Sequence, residues 1–443
     1  MLGERLGAAV IVGDNRDTTG RESDVDSGEP VDRSGVTVGL RRAAEIWSAL
    51  SARPFSAEET AALLPEPDDS ATLVEIARLA LRSDACATGP YLHAVLDRLP
   101  SSLLRELAER AVHRLTSGPN DAAAEILAYV SVHQAESLAA HLPSLWELSP
   151  SEGFYFAEWP WRVADESEIA RLWERADPDD ELRRERALRC LLQTRRPDVL
   201  ARLSPAEDDL HSVGYTLGGG ELRRLHSASP WHLAFPADLL RRWATRNPLR
   251  AHQSSWPVAS QRDPQALTSG CIDLACPRCR KRLHRLLYLP SVPPDVGVTS
   301  RARVEFVWCA ECGPYTEVSY VRHDADGAPA DLAMTFVVDP PERQPGLEPA
   351  DEAIPATGVE LVRLEQRWWW QDWAISNDRE NLHRVGGEPT WIQDPDYPSC
   401  PDCADTMIAA GQVNVADLWD FEGMCYLMWC DQCAISGVVY QQT

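Results

Sequence analysis

The sequence has almost no lysine and no excess of positive charge. Lys281 is its single lysine, and the 443 residues carry 43 basic against 68 acidic side chains, a formal net charge of −25. Proteins that bind the phosphate backbone over a broad surface need a basic face. The composition therefore excludes a general phosphate-backbone binder, and the location of the acidic residues becomes informative.

Long apolar runs and familiar catalytic motifs are also missing. The best apolar stretch near the start, residues 6–13, is about half of a signal-peptide core and follows Glu4. No segment is long enough to span a bilayer, and there is no HExxH or GxSxG motif. The glycine triplet 218–220 lacks the Lys-Ser/Thr of a P-loop. We therefore predict a cytoplasmic protein with no membrane partner and no catalytic residues.

The first half of the chain has the pattern of a helical domain. Residues 1–35 contain few large apolar side chains and predict a disordered arm. Residues 36–250 then show helical periodicity, with Leu40, Ala44 and Trp47 at spacings of four and three. Helices of about ten residues with short connections favour a HEAT-like repeat, and a compact bundle is the alternative.

The second half has the pattern of strands. Short apolar and β-branched runs, such as residues 302–309, replace the helical period after residue 250. We predict a first β lobe over 251–338 and a second over 359–443, joined by a Pro- and Glu-rich connection at 339–358. The expected fold class is α+β multidomain, an all-α domain followed by a duplicated, mostly β module.

Eight of the twelve cysteines form four Cys-x-x-Cys pairs, which are Cys276/Cys279, Cys309/Cys312, Cys400/Cys403 and Cys430/Cys433. Two such knuckles facing each other supply the four thiolates that tetrahedral zinc prefers. We therefore predict two structural Zn²⁺ ions, one in each lobe. A catalytic role for them is disfavoured, because four thiolates leave no open position for water.

Other uses of these cysteines stay open as alternatives. Disulfides are less favoured, because the chain is large, has no export signal and also carries unpaired cysteines. A single Cys-x-x-Cys pair also matches a redox motif. Pairing between the two sets is conceivable, but a common flanking pattern favours local pairing.

That flanking pattern indicates an internal duplication. Residues 306–312 (FVWCAEC) align with 427–433 (LMWCDQC), and each segment lies between two β-like runs. The offsets agree, with 124 residues from Cys276 to Cys400 and 121 from Cys309 to Cys430. A small lobe has little core of its own, so zinc would stabilise it by on the order of 10 kcal/mol.

The second lobe resembles a known family. The motif Gly-Gly-x-Pro-x-Trp at 386–391, the Tyr-Pro-x-Cys-x-x-Cys at 397–403, Met407 and Gln412 together resemble the signature of the YwqG-like proteins. That family shares a domain with the eukaryotic programmed cell death protein 2 group. The resemblance covers about residues 250–443 and leaves out the helical domain.

The resemblance implies a protein-binding module rather than an enzyme. Eukaryotic relatives act as chaperones or adaptors for a basic ribosomal protein, and some bacterial relatives lie near toxin genes and are suspected immunity proteins. The family has no established catalytic residues. Ala409 and Ala410 replace an expected larger apolar pair, so a groove there would be wider or differently specific. The cysteine pairs are not universal in bacterial relatives, so the zinc prediction depends on this sequence.

A tryptophan run at 368–373 and the Gly-Gly motif are the candidate partner surface, because exposed Trp is enriched in interface hot spots. The predicted partner-binding residues are Trp368, Trp370, Gly386, Gly387, Pro389, Trp391, Gln393, Met407 and Gln412. Each has a structural alternative. The tryptophans could pack in the core, the glycines could form a turn with Pro389 fixing its exit, and Gln393 could satisfy a backbone group.

The distribution of charge separates two kinds of partner. Residues 324–443 carry 22 acidic and 5 basic side chains, which favours capture of a basic protein or peptide, such as a ribosomal protein or a toxin. The rival hypothesis is a nucleic-acid-binding zinc ribbon that uses the basic cluster Arg278, Arg280, Lys281, Arg282 and Arg285. That cluster could instead neutralise the nearby thiolates.

Overall fold

The computed structural model of the protein describes most of the chain. The described residues are 33–52, 62–66, 68–83, 89–148, 157–176, 180–203, 205–246, 256–260, 264–337, 355–364, 380–419 and 422–442. The predicted arm lies outside them up to residue 32, and its last three residues begin the first helix. The tryptophan run lies outside them entirely. The predicted connection does so up to residue 354, and its last two residues begin a strand.

The N-terminal half is helical, as predicted. The helices are α1 (Arg33–Ala52), α2 (Ser70–Arg82), α3 (Gly89–Leu96), α4 (Ser101–Thr116), α5 (Asp121–His133), α6 (Leu142–Trp146), α7 (Glu166–Arg175), α8 (Glu181–Gln193), α9 (Pro197–Leu203) and α10 (Glu207–Ser212). Short 3₁₀ turns occupy Ala135–His141 and Trp159–Val163. Side chains of Asp69, Asn120, Asp165 and Asp180 cap four of these helices by accepting a first-turn backbone N–H.

One apolar core holds these helices together. Each helix buries residues three and four apart, as α2 does with Leu73, Ile76, Ala77 and Ala80, all fully buried. A continuous cluster of buried side chains extends from α1 to Val199 in α9. This packing supplies most of the stability of helices too short to persist alone.

The C-terminal part is built from strands, again as predicted. The strands are β1 (Tyr215–Gly218), β2 (Glu221–Arg224), β3 (Trp231–Ala234), β4 (Ala266–Thr268), β5 (Cys271–Ala275), β6 (Arg282–Leu289), β7 (Val304–Trp308), β8 (Thr316–His323), β9 (Pro329–Phe336), β10 (Thr357–Arg363), β11 (Arg384–Val385), β12 (Ile408–Asn414), β13 (Met424–Cys430) and β14 (Ile435–Gln441). Two helices accompany them, α11 (Ala237–Arg246) and α12 (Val415–Trp419).

Twelve of these strands form one sheet. Their order is β5-β6-β4-β10-β3-β11-β12-β13-β14-β8-β9, with β7 paired to β6, and every ladder in it is antiparallel. The strand β3 and the helix α11 precede residue 250, where we placed the end of the helical domain. Both belong to the sheet and its core, since Leu233 and Trp243 pack with Phe306 and Trp429 in one buried cluster.

The two halves of the predicted duplication meet along β8 and β14. Each of these strands follows the second cysteine knuckle of its half, and they pair antiparallel with Ser319 opposite Val438. One further step of that register places Val318 opposite Val439, residues that the 121-residue offset also makes equivalent. Equivalent strands that pair antiparallel around equivalent residues are what a two-fold relation between the halves produces.

Candidate metal centres and the buried centre beside them

The first cysteine set lies at the ends of β5 and β7. Cys276 and Cys279 turn the chain into β6, and Cys309 and Cys312 turn it toward β8. All four Sγ atoms lie within 4.8 Å of one another, with 3.5 Å between Cys279 and Cys309 and 3.9 Å between Cys276 and Cys312. Zinc–sulfur bonds of about 2.3 Å in a tetrahedron give sulfur–sulfur edges of about 3.8 Å. This set could therefore hold a tetrahedral metal ion.

The second set has the same geometry in the second half. The Sγ atoms of Cys400, Cys403, Cys430 and Cys433 also lie within 4.8 Å of one another, and 3.6 Å separates Cys403 from Cys430. Both tetrads combine the knuckles that are nearest in sequence. The local pairing that we predicted is therefore the arrangement in the structure, and pairing across the two sets is not.

The backbone of the leading knuckle is the same in both tetrads. The amide four residues after the first cysteine donates to that cysteine's carbonyl, and the cysteine's own amide donates to the carbonyl five residues on. These bonds are Arg280 N to Cys276 O (3.0 Å), Cys276 N to Lys281 O (2.7 Å), Ala404 N to Cys400 O (2.9 Å) and Cys400 N to Asp405 O (2.8 Å). Arg280 and Ala404 both adopt positive φ, 65° and 61°. The two leading knuckles therefore share the same local backbone structure, as the predicted duplication requires.

The thiols of a tetrad cannot all ionise without a cation. A hydrogen bond from Cys309 lowers the pKa of Cys276 to about 5. Burial, followed by the negative charges of Cys276 and Cys279, raises the pKa of Cys312 to about 12. Negative charges on neighbouring sulfurs repel one another, and a divalent ion among the sulfurs would stabilise all four thiolates. The donor chemistry thus fits a thiolate-loving ion such as zinc.

The basic cluster beside the first tetrad is largely engaged inside the lobe. Four of its five cations have partners there: Lys281 Nζ lies 2.6 Å from Glu311, Arg285 Nε lies 2.5 Å from Glu305, Arg282 Nε donates to the carbonyl of Ile272 at 3.1 Å, and the Arg278 guanidinium lies 5.4 Å from the centroid of the Phe336 ring. These contacts leave fewer of its cations for nucleic acid, and neutralisation of the thiolates by the cluster stays a prediction.

Gly386 and Gly387 form a turn directly after β11. Their φ angles are 68° and 77°, which favour glycine, and the amide of Gly387 donates to Ser227 Oγ at 2.7 Å. A Cβ atom on Gly386 would lie 2.4 Å from that same Oγ. The two glycines therefore form a buried turn, which is the structural alternative to their predicted role in partner binding.

Most other candidate partner residues in the described part of the chain are buried as well. Trp391 is 1% exposed, and its ring centroid lies 4.2 Å from that of Tyr426. Pro389 and Met407 are also buried. Gln412 accepts from the amide of Thr390 and donates to a backbone carbonyl, so its amide group satisfies buried main chain.

Gln393 is the one exposed member of the candidate set among the residues that the structure describes. Its side chain donates to the carbonyl of Gln442 at 2.9 Å, and its own amide donates to the side chain of Gln441 at 3.0 Å. Gln441 in turn donates to the carbonyl of Asp394. Gln393 thus ties the loop after the Gly-Gly motif to the end of β14.

Glu388, the residue between Gly387 and Pro389 in the motif, was missed by the sequence-based predictions. Its carboxylate forms an ion pair with Arg195, in the turn after α8, and the two side chains are 2% and 15% exposed. Although burial opposes its ionisation, the charge of Arg195 holds the pKa of Glu388 below its usual value. His226 Nε2 lies 3.9 Å from the same carboxylate. No local pattern could have paired residues so far apart.

A buried His–Asp pair joins the residue before β11 to the helix α12. His383 Nε2 lies 3.0 Å from Asp417 Oδ2, and the two side chains are 0% and 3% exposed. The His383 ring stacks on Trp243 with an angle of 6° between the planes. Enclosure of this kind leaves no access for a substrate, so the pair is best explained as part of the core.

Comparison with known proteins gives little help with function. No family model and no solved structure matches the chain. It is similar to the uncharacterized protein YpfL of Salmonella typhimurium, with 43% identity over 186 residues, which cover 38% of this chain and 39% of the relative. The match therefore spans about two fifths of either protein. Within the described residues, no helix is long and apolar enough to cross a membrane.

Proposed function

We propose that the protein is a non-enzymatic, cytoplasmic binding protein whose β module holds a basic client protein or peptide. In this proposal, each cysteine tetrad holds a structural Zn²⁺ ion, and the C-terminal module is a divergent YwqG-like domain. The helical half, whether repeat or bundle, would present this module. A ribosomal protein or a toxin would be a client of the expected chemistry.

The choice of zinc is supported by the donor set. All four donors at each site are thiols in a tetrahedral spacing, and soft thiolate ligands favour zinc over the hard cations. Four sulfur ligands complete the coordination shell, which fits stabilisation rather than catalysis. None of the eleven described cysteines forms a disulfide.

The observation that carries the client proposal is a pair of acidic side chains, Glu317 and Asp396, without a counter-ion. Burial and the nearby charge of Glu317 raise the pKa of Asp396. Among the described residues, neither carboxylate has a basic group within 4 Å. Tyr320 lies beside both, and its hydroxyl donates to the carbonyl of Ser399 at 2.9 Å. A lysine or arginine from a client would relieve this repulsion and contact the ring.

The buried motif would act on this surface indirectly. Trp391 anchors the chain in the core, and Gln393 and Gln441 fix the loop that follows it. That loop carries Asp394, which is exposed, and Asp396, which is half-buried. The Gly-Gly-x-Pro-x-Trp sequence thus positions an acidic loop.

A labelled nona-arginine peptide provides the direct test. We expect saturable binding that weakens steeply with salt, and a loss of about tenfold, or about 1.4 kcal/mol, in the double variant Glu317→Gln/Asp396→Asn. The control Asp208→Asn/Glu221→Gln removes the same charge from exposed positions elsewhere and should bind nearly as the parent does. Equal losses of peptide affinity in the two double variants would show that only net charge matters, and this result would contradict the proposal.

Capture from the native host with mass spectrometry tests the rival hypothesis as well. A recurrent basic protein, lost on chelation, supports the client proposal. Recovery of nucleic acid without a recurrent protein, with RNA binding abolished in Arg280→Ala/Arg282→Ala, would favour the zinc-ribbon alternative instead.

A further inference from the structure

A cavity of about 570 Å³ lies on the β module, and its lining residue Thr299 donates hydrogen bonds to Asp431 in the knuckle between Cys430 and Cys433. Its walls come from the connection between β2 and β3, the long connection between β6 and β7, and the first residue of β12. This volume is within the range of about 300–1,000 Å³ that is usual for small-molecule sites.

The lining combines an apolar wall with two cations. Val292, Pro293, Pro294, Val298 and Ile408 supply the apolar surface. Arg224 reaches it from β2 and Arg301 from the β6–β7 connection. Such a mixture suits a ligand with one charged end and one apolar end.

Neither arginine has a carboxylate partner within 4 Å among the residues that the structure describes. Arg224 donates to the hydroxyl of Tyr215 at 3.2 Å, and its guanidinium lies 5.7 Å from the centroid of that ring. Arg301 donates to the carbonyls of Asp324 and Ser300, each at 2.8 Å. Each guanidinium has five N–H donors, so donors remain on both. Two cations without counter-ions are notable in a chain of net charge −25.

The other ionisable groups in the lining do not cancel these charges. Asp295 lies 3.6 Å from Arg363, and its side chain is 80% exposed. Burial lowers the pKa of His226, so its imidazole is neutral at pH 7. The hydrogen bond between His226 Nδ1 and the carbonyl of Ser227 requires the proton on Nδ1.

We propose that this cavity binds a small organic anion, a carboxylate or a phosphate monoester with a short apolar or aromatic group. The anion contacts Arg224 and Arg301, and the apolar group packs against Pro293, Val298 and Ile408. This site goes beyond the client-binding function, and it uses none of the residues proposed to contact the client.

Calorimetric titration with four probes tests the inference: phenyl phosphate, benzoate, inorganic phosphate and the neutral benzyl alcohol. We expect saturable binding of at least one aromatic anion and none of the alcohol, because the charge is required. Tighter binding of phenyl phosphate than of benzoate would identify phosphate esters as the class of natural ligand. Tighter binding of benzoate would identify carboxylates instead. Inorganic phosphate should bind more weakly than phenyl phosphate, since it lacks the apolar group.

Variants distinguish binding of the anion in this cavity from nonspecific attraction of anions to arginine side chains. Arg224→Gln/Arg301→Gln should weaken the aromatic anion at least tenfold, and Arg241→Gln, on the exposed face of α11, should leave its affinity unchanged. Ala302→Trp, which fills the cavity and keeps both arginines, should also abolish binding, and it decides the matter if the double variant fails to fold. Absence of binding for every anion, or equal binding to parent and Ala302→Trp, would overturn the proposal.

Discussion

The guanidinium of Arg195 donates a hydrogen bond to the carboxylate of Glu388, 193 positions further along the chain. Arg195 lies in the turn between α8 and α9 and adopts a φ of 53°, and Glu388 occupies the centre of the Gly-Gly-Glu-Pro turn. Both side chains are withdrawn from solvent, so the ion pair joins the helical part to the β module through a contact that water cannot screen.

Removal of either member of this pair should be strongly destabilising. Arg195→Met or Glu388→Gln leaves one buried charge without its partner, and we expect each to reduce the free energy of unfolding by about 3–5 kcal/mol. The double variant should lose clearly less than the sum of the two. Urea unfolding followed by circular dichroism measures all three. Arg196→Met is the matched control, because its partner Asp198 is exposed; equal losses at 195 and 196 would contradict the prediction.

Metal content and stability should change together at the tetrads. The purified protein should contain two zinc ions per chain, and Cys276→Ser and Cys400→Ser should each lose about one. Cys271→Ser, a half-buried thiol outside both tetrads, should keep both. Mass spectrometry of metals gives the count, and chelation should unfold the affected half, because zinc contributes on the order of 10 kcal/mol. Zinc-free protein with the same melting curve in EDTA would refute the assignment.

His323 should make stability fall on mild acidification. Its Nδ1 donates to the carbonyl of Gly327, its Nε2 accepts from Ser436, and burial lowers its pKa to about 4, against an ordinary value of 6.5. Between these values the unfolded chain binds a proton that the folded protein does not. Stability should therefore decline from pH 6.5 toward pH 4, by up to about 3 kcal/mol.

The slope of unfolding free energy against pH, with zinc content followed in parallel, checks this effect. His323→Gln should flatten the slope, and replacement of the exposed His113 should not. An unchanged slope in His323→Gln at constant zinc content would assign the pH dependence to other groups.

The turn at Gly386 should tolerate no side chain. Alanine at its φ of 68° costs about 1–2 kcal/mol, and its Cβ would also meet Ser227 Oγ at 2.4 Å. Gly219 has a similar φ of 60° with open space around it, so Gly219→Ala isolates the backbone cost. We expect Gly386→Ala to lower the melting temperature distinctly more. Equal shifts would show that Ser227 moves aside freely.

Local patterns in the sequence were sufficient for the helices, the change to strands and both tetrads. Helical periodicity and Cys-x-x-Cys spacing are short-range signals, and neighbouring knuckles such as those at Cys400 and Cys430 need only one hairpin to meet. The same short range explains why β3 went unrecognised. It is only four residues long, and the helix α11 follows it, so the pattern before residue 250 remained helical.

Burial of the Gly-Gly motif depended on contacts that no local pattern contains. Trp391 is enclosed by Tyr397 and Tyr426, and Glu388 by an arginine from the helical half. An exposed aromatic platform and a buried anchor have the same composition. Only the packing of distant segments separates them.

The pairing of β14 between β13 and β8 has a consequence for biosynthesis. β8 leaves the ribosome more than a hundred residues before Ile435–Gln441, yet its inner edge is completed only by that late strand. Until then the nascent chain carries an open sheet edge beside its first cysteine tetrad, and such edges promote association with other chains. Synthesis from the N-terminus thus adds β14, an interior strand of this sheet, last. A cell that makes the protein must protect the open edge of β8 until β14 has paired with it.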